Sequence, residues 1–400
     1  MAVSEPSRTV PFHGLRVIDA SRVLAGPSCA QLLADMGADI IKIESPEGDE
    51  NRRWPPLMEN GLSSNYAAVN RGKRAMTLNM KAPRAREILE KLVASADVFL
   101  HSFLPDTAER LGLGYERMRA MNPRLIFCSI SGYGAEGPLR NKPGYDLMVQ
   151  AFAGPMSVTG YDDGPPVRTG VSFVDMATGL SAYGAIVTAL YARQQTGQGT
   201  WVRTSLLETA VSMLSYHAIA WLQAGIVPRK QGSGGANQAP YQAFRCQDGH
   251  VLVGAPNDAA WQRLCTALND PALAADPRFA TNASRLQHRE VLVGLLEAHL
   301  VRHPGEHWSA LLEQHGVAVA PIQSLDRVLT GAQVLANRMV VMAADADDRE
   351  WPLLGTPFKV GDSGTAAGSS PALGAHTDEI LRELGYSDHD LLDLRREKAV

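Results

Sequence analysis

The chain has 400 residues, 45% of them hydrophobic and 20% charged, with a net charge of −4. That length suits two or three domains, and the composition is that of a soluble globular protein. The charge balance excludes the broad basic field that nucleic acid or an anionic membrane requires, so a bound phosphate must be held by a few local Lys or Arg side chains. Cys29, Cys128, Cys246 and Cys265 show no CxxC spacing and read as isolated thiols of a reducing compartment. The opening Met1–Pro11 lacks the apolar core of a signal peptide. The most apolar run, Met176–Tyr191, is shorter than the roughly 20 residues of a membrane span and reads as a core helix. A cytoplasmic location is expected.

The first predicted elements form a βαβ unit. Leu15–Asp19 is a strand, Gly26-Pro27 opens a helix over Ser28–Met36 that stops at Gly37, and Ile40–Glu44 is the next strand. This order implies a parallel sheet. The unit carries no GxGxxG, so no nicotinamide cofactor is indicated. The Ala25-Gly26-Pro27 corner is either a tight turn or a ligand corner at a helix N-terminus. A polar loop, Gly48–Ser64, precedes the basic turn Asn70–Arg74 and a strand over Ala75–Asn79. The turn is a solvated surface or a phosphate contact. A helix over Pro83–Ser95, a strand over Asp97–Leu100, helices at Thr107–Leu111 and Tyr115–Met121, and a strand over Leu125–Ser129 continue the alternation of an open α/β sheet.

Gly132–Pro138 is Gly-rich, and Pro143–Asp146 leads into a helix ending at Phe152. A strand is expected over Val167–Val174, then the apolar helix, a break at Thr196–Gly199, a strand over Thr200–Thr204 and a helix over Ser205–Ala224. Gln231–Asn237 has the composition of a mobile loop or linker. Beyond it, a strand at Val251–Val253, helices near Trp261 and over Glu290–Val301 and His307–His315, and a strand at Ala318–Pro321 suggest a smaller α/β unit. Ser363–Ser370 reads as a polar linker before two helices, Asp378–Leu384 and Asp388–Arg396.

Asp175 is the only charged residue between Arg168 and Arg193, placed where the predicted strand meets the apolar helix. It is either an N-cap or a nucleophile that exploits the N–H groups and positive field of a helix start. The eleven His show no zinc-site spacing with Cys, and no GxSxG elbow is present. No metal centre is expected. A carboxylate, Gly-rich loops and scattered cations suit a phosphate-bearing substrate and covalent carboxylate catalysis.

Six segments taken together resemble the family III CoA-transferases. They are Val17–Pro27 (VIDASRVLAGP), Leu32–Glu44 (LLADMGADIIKIE), Asn70–Arg74 (NRGKR), Gly132-Tyr-Gly134, Pro143–Asp146 (PGYD) and Asp175–Gly179 (DMATG). The closing Leu373–Gly385 also fits, so the resemblance spans nearly the whole chain in order. It implies a Rossmann-like large domain and a smaller α/β domain: residues 1–224, then 225–330, then 331–400 returning to the large domain. It further implies a homodimer of interlocked rings, with the active site between domains and subunits.

The same resemblance places the nucleophilic aspartate at Asp175. It implies exchange of CoA between an acyl-CoA and a carboxylic acid, with CoA thioesters as substrates and no permanently bound cofactor. Backbone N–H groups at the helix start are expected to hold the oxyanion, and Ala177, Gly179 and Ala182 to leave room for the thioester. CoA-binding positions carry over to Leu24 and Ala25 at the corner, to Leu78, Asn79, Met80 and Lys81, to Ser102, Phe103 and Leu104, and to Arg110, with Tyr145 and Asp146 near the pantetheine end. Gly232, Gly234 and Gly235 resemble a Gly-rich lid. Two departures bear on substrate. Leu24 stands where formyl-CoA transferases carry Gln, which points toward succinyl-CoA users. Tyr145 stands where the related α-methylacyl-CoA racemases carry His, and a phenol is a poor base near neutrality, which favours transfer over racemisation.

Overall fold

The computed structural model describes residues 10–361, 363, 364 and 368–400. The chain before residue 10 and part of the expected 363–370 linker lie outside these. Two compact units are present. The larger takes the chain up to Gly154, Thr169–Ala218 and Gly331–Val400; the smaller takes Pro155–Arg168 and Ile219–Thr330.

Six short apolar runs build the sheet of the larger unit: β1 (Arg16–Ala20), β2 (Asp39–Glu44), β3 (Arg74–Thr77), β4 (Val98–His101), β5 (Ile126–Ser131) and β6 (Thr200–Ser205). All pairings are parallel, in the order β3-β2-β1-β4-β5-β6. Alternate residues enter opposite cores, as a strand's period of two demands. Ile18, Ile41, Phe99 and Phe127 pack under helices carrying Ile88, Leu92, Ile380 and Leu391. Val17, Ile40, Val98 and Ile126 pack under Cys29, Leu33, Ala182 and Ile186. Both faces are covered, which is why these strands read as nearly continuous apolar runs. The strand order reverses between β1 and β4, and such a switch point opens a crevice at the strands' carboxyl ends.

The smaller unit has its own antiparallel sheet of β7 (Tyr241–Cys246), β8 (Gly249–Gly254) and β9 (Ala318–Pro321). Its core gathers Phe244, Trp261, Phe279, Leu296 and Leu312. A hairpin of β10 (Val340–Ala344) and β11 (Glu350–Leu354), which had no counterpart in the sequence reading, belongs to the larger unit.

Three expectations are corrected. No strand forms over Val167–Val174; the chain runs irregularly into a helix that starts at Phe173. Val167 and Val171 are exposed, and the edge beside β5 is taken by β6. The apolar run is part of a 24-residue helix, Phe173–Thr196, long and apolar enough by composition to cross a membrane. Its Val174, Ala182, Ile186 and Leu190 are nevertheless buried in the protein core. The helix expected over Ser205–Ala224 is two, Leu206–Met213 and Tyr216–Ala224, broken at Ser215 with φ +46°.

The basic turn Asn70–Arg74 is also not a phosphate contact, because each cation has an internal carboxylate partner. Arg71 pairs with Asp35, Arg74 with Asp39, Glu379 and Glu383, and Lys73 with Asp19. Lys73 is buried, and its ammonium donates to Asp19 Oδ2 at 2.8 Å, the Pro27 carbonyl at 2.9 Å and Asn70 Oδ1 at 2.9 Å. These three acceptors use all its protons. Burial lowers its pKa to about 8, with Asp19 opposing the shift.

Removing Lys73 leaves Asp19 buried without its partner, so Lys73→Met should cost about 3–5 kcal/mol. Chemical denaturation should show that loss, and Asp19→Asn added to Lys73→Met should recover part of it.

Candidate active site

The crevice at the switch point is lined from both sides. β1 runs into the corner Ser21–Pro27, and the helix Ala25–Asp35 starts there. β4 runs into Ser102–Leu104, and Ser102 Oγ accepts the Arg22 N–H at 3.1 Å, which ties the two strand ends together. The corner itself is strained: Val23 sits at φ +68°, a region that costs a non-Gly residue on the order of 1–3 kcal/mol.

Two cavities of the larger unit meet at Arg22, Phe103 and Thr107. The outer one, about 1010 Å³, is lined by Leu78, Asn79, Met80, Lys81, Phe103 and Arg110 among others. Its wall is braced by the chain's far end, since the Asn79 N–H donates to the Ala399 carbonyl at 2.8 Å. Lys81 and Arg110 make no ion pair with a described residue, whereas Lys42 and Arg52 beneath the same wall are paired with Asp49 and Glu44. Two unpaired cations on a roomy cavity are what a phosphorylated ligand needs. The inner cavity, about 330 Å³, carries Leu24, Ala25, Ser102, Phe103, Leu104, Tyr145 and, at its wall, Asp175.

Asp175 is the third residue of the helix Phe173–Thr196 and only 8% exposed. Its carboxylate has no hydrogen-bond partner among the described residues. The local N-cap reading therefore fails: another carboxylate does the capping. Asp146 Oδ2 accepts the N–H groups of Val174 at 2.9 Å and Asp175 at 3.2 Å. Gln150 donates to Asp146 and accepts the Thr169 N–H at 3.1 Å, which fixes the approach to the helix. The N–H groups of Phe173 and Met176 are taken by the Val171 and Ser172 carbonyls. The first turn thus has no N–H left over for an oxyanion, contrary to expectation.

Burial, and then the Asp146 carboxylate, push the Asp175 pKa up to about 7. A helix N-terminus favours the anion by only about 0.3–1 kcal/mol, and here burial outweighs it. A carboxylate with no hydrogen-bond partner among the described residues and a pKa raised by burial, at the wall of a cavity, marks a candidate functional residue.

Gly179 and Ala182, two of the small residues expected to leave room for the thioester, are taken up by packing within the protein. Ala182 is in the core, and a Cβ on Gly179 would lie 2.0 Å from Ser28 Oγ and 2.7 Å from the Ala25 carbonyl oxygen. Gly179 lets this helix touch the corner. Gly132 and Gly144 likewise pack back to back on the cavity wall, 2.7 Å from a Cβ on either to the other's Cα. Gly132–Gly137 also spells GxGxxG after β5, but no helix follows until Asp146, so the dinucleotide context is missing.

A model of CoA-transferase family III matches residues 12–377. The chain belongs to this family. Its relatives include a succinyl-CoA:glutarate CoA-transferase of Mus musculus, 38% identical over 96% of this chain and 88% of the relative. A succinate–glutarate CoA-transferase of Agrobacterium fabrum is 36% identical over 95% of this chain and 97% of that protein. A crystal structure of a CaiB/BaiF family protein from Brucella suis superposes with a TM-score of 0.85 at 37% identity, covering 94% of this chain and 99% of that one. The protein is accordingly a family III CoA-transferase, and racemisation is the less favoured reading.

Of the residues singled out in the sequence, Leu24, Ala25, Ser102, Phe103, Leu104, Tyr145 and Asp175 meet in one cavity, and Leu78, Asn79, Met80, Lys81 and Arg110 in the adjoining one. Asp146 is buried and lines neither. Gly232, Gly234 and Gly235 lie in the smaller unit, where their N–H groups donate to the carbonyls of Gly160, Gln231 and Tyr241. Arg289 also holds the loop through Gln231 Oε1 at 2.8 Å. Among the described residues no group of three metal-binding side chains is gathered; His303 and His307, four apart, stack on each other. Sequence reasoning passed over Arg22 and Glu50, which line the inner cavity, and the Asp49 and Asn51 contacts beneath Val23. Tyr145 reaches Glu50 Oε1 at 3.4 Å, a pairing no local pattern signals.

The Asp175 shift has two consequences. If Asp175 is the nucleophile that the resemblance implies, acylation requires its ionised form, so kcat/KM for the acyl-CoA should rise with pH and level off above an inflection near 7. Asp146→Asn, which keeps an acceptor oxygen but removes the charge, should move that inflection to lower pH. The native state holds a proton that the unfolded state releases above the ordinary value of 3.8, so stability falls as pH climbs from there to about 7. Asp175→Asn should therefore be more stable than wild type at pH ~8, with the gap closing toward pH ~4 in urea titrations. Gly179→Ala should cost about 1–3 kcal/mol by overpacking and lower turnover, since a backbone carbonyl cannot swing aside.

Proposed function

We propose that Asp175 carries the acyl group in this enzyme, with succinyl-CoA as donor and a dicarboxylic acid as acceptor. A single observation carries the first part: the Asp175 carboxylate, with no hydrogen-bond partner among the described residues, lines a cavity that shares Arg22, Phe103 and Thr107 with one bearing Lys81 and Arg110. CoA would lie along both, its phosphates by the cations and its thioester at Asp175. Relatives named for succinyl-CoA and glutarate, and Leu24 in place of an amide, support the second part.

An Asp175 oxygen attacks the thioester carbonyl, the C–S bond breaks and CoA leaves as its thiolate. The product is a mixed anhydride of Asp175 and the donor acyl group. The thiolate then attacks the Asp175 carbonyl carbon and expels the donor carboxylate, leaving an aspartyl-CoA thioester. The acceptor carboxylate attacks that thioester and frees the thiolate again. Finally the thiolate attacks the acceptor's acyl carbon, releasing the new acyl-CoA and the Asp175 carboxylate. Each step exchanges one acyl bond for another, and water must be kept out throughout. No histidine lines the inner cavity, and the Tyr145 hydroxyl is engaged by Glu50, so the racemase reading lacks the histidine of its His–Asp pair.

The exposed apolar side chains of Met213, Tyr216, Ile219, Trp221, Leu222, Ile226 and Val227 support a second copy of the chain as partner, in the interlocked arrangement. The four free thiols support a cytoplasmic setting. Equilibrium sedimentation should give twice the chain mass.

The test of the mechanism is to incubate the enzyme with succinyl-CoA, quench with hydroxylamine or borohydride, and map the product by mass spectrometry. Modification at Asp175 is expected, and Asp175→Ala should lose activity by about 10³-fold or more. An unmodified Asp175 together with a fully active Asp175→Ala enzyme would end the proposal. In acceptor competition, glutarate should outrun acids of equal length with one carboxylate.

A further inference from the structure

Among the described residues, the other positive-φ non-Gly positions are Ser215, Asn269, Arg338, Asp348 and Lys398; Val23 is the one β-branched residue in the set. It sits at the active-site corner, where a branched Cβ is least tolerated. Such a conformation persists only when its surroundings over-determine it. Here both sides of the Val23 peptide are gripped. Its N–H donates to Asp49 Oδ2 at 3.0 Å and Oδ1 at 3.3 Å, and its carbonyl accepts from Asn51 Nδ2 at 2.7 Å. Asp49 and Asn51 are buried, and Asp49 is held in turn by Lys42 Nζ at 3.3 Å. Lys42 also donates to the Ser21 carbonyl at 3.1 Å, so the same cluster fixes the corner at its other end.

Asn51 Oδ1 has no hydrogen-bond partner although buried. The reverse orientation of the amide would set that oxygen against the Val23 carbonyl, two acceptors facing each other. The one observed side-chain bond of Asn51 is therefore its grip on Val23. The next residues, Leu24, Ala25 and Gly26, form the cavity wall that faces Asp175. That wall is also in contact with the helix of Asp175, through Ser28, the Ala25 carbonyl and Gly179.

We propose that Asp49 and Asn51 are positioning residues: they hold Val23 in its left-handed conformation and so keep the Leu24–Ala25 wall at the distance from Asp175 that acyl transfer needs. The proposal rests on Asp175 being the acyl carrier. It assigns Asn51, which lines neither cavity, no contact with substrate; Asp49 also lines the outer cavity, and the role given it here is its grip on Val23.

The experiment is a double-mutant cycle of Asn51→Ala and Val23→Gly, read by kcat, by KM for succinyl-CoA and by the thermal unfolding midpoint. Glycine takes a positive φ without a Cβ penalty, so the grip matters less when residue 23 is Gly. Asn51→Ala should lower kcat about tenfold or more beside Val23, but only about threefold or less beside Gly at that position. KM should stay within about threefold of wild type in the single variant, because the outer cavity is untouched. The loss of unfolding midpoint in Asn51→Ala should shrink in the same way when Val23→Gly is added. Equal losses in both backgrounds overturn the proposal, as does a wild-type kcat in Asn51→Ala. Should the single variant not fold, the double variant decides: recovery of a folded, active enzyme supports the grip, and an equally unfolded one overturns it. If the wild-type enzyme is never acylated at Asp175, the carrier assignment fails; the unfolding midpoints still report on whether Asn51 opposes strain at Val23.

Discussion

At Gly179 the helix Phe173–Thr196 comes close enough to the start of the helix Ala25–Asp35 that no side chain fits between them. Asp175 lies one turn before that contact, so the approach sets how far the carboxylate stands from the Leu24–Ala25 wall. The corner is pinned from below as well. Lys73 bonds the Pro27 carbonyl and Lys42 the Ser21 carbonyl, each ammonium neutralised by its own buried carboxylate, Asp19 or Asp49. Buried pairs of this kind are weak evidence for stability, because desolvation offsets much of their attraction. What they supply here is direction: four charged groups fix two carbonyls of one short corner.

The sheet explains why the site lies where it does. β1 and β4 are neighbours but send their chains to opposite sides, and the crevice between them receives residues from both strand ends. The closing segment of the chain supports the outer wall. Helices carrying Ile380, Leu381, Leu391 and Leu394 pack into the core beside β3, and the chain end accepts the Asn79 N–H. Both ends of the sequence are thus needed to shape one cavity.

Most elements of the sheet and its two flanking layers were legible because they rest on local signals. Tyr115–Met121, Ala318–Pro321 and Asp388–Arg396 have the bounds that spacing and caps foretold. The failures share a cause. Val167 and Val171 have the composition of a strand, yet the place beside β5 is taken by β6, and pairing is not encoded in a window of eight residues. Asp175 was visible as a lone carboxylate in an apolar stretch, but its freedom from hydrogen bonds depends on Asp146, nearly thirty residues earlier. Asn51 lies in a polar loop that looks like any other. Only the bond to Val23, from a different part of the chain, gives it meaning.

The relation between the two aspartates follows from the demands on a nucleophile. A carboxylate at a helix start ordinarily accepts the exposed N–H groups, and each such bond stabilises the charge and blunts its attack. The helix Phe173–Thr196 has those N–H groups, and an acceptor must be found for them if the end is buried. Asp146 is that acceptor, and it also adds a negative charge beside Asp175. One carboxylate therefore does two things for the other: it relieves Asp175 of the capping role and raises the energy of its anion. In the proposed role of acyl carrier, a raised anion energy would make Asp175 a stronger nucleophile and, by the same measure, a poorer leaving group from its own anhydride, so the two halves of an exchange place opposite demands on the size of the shift.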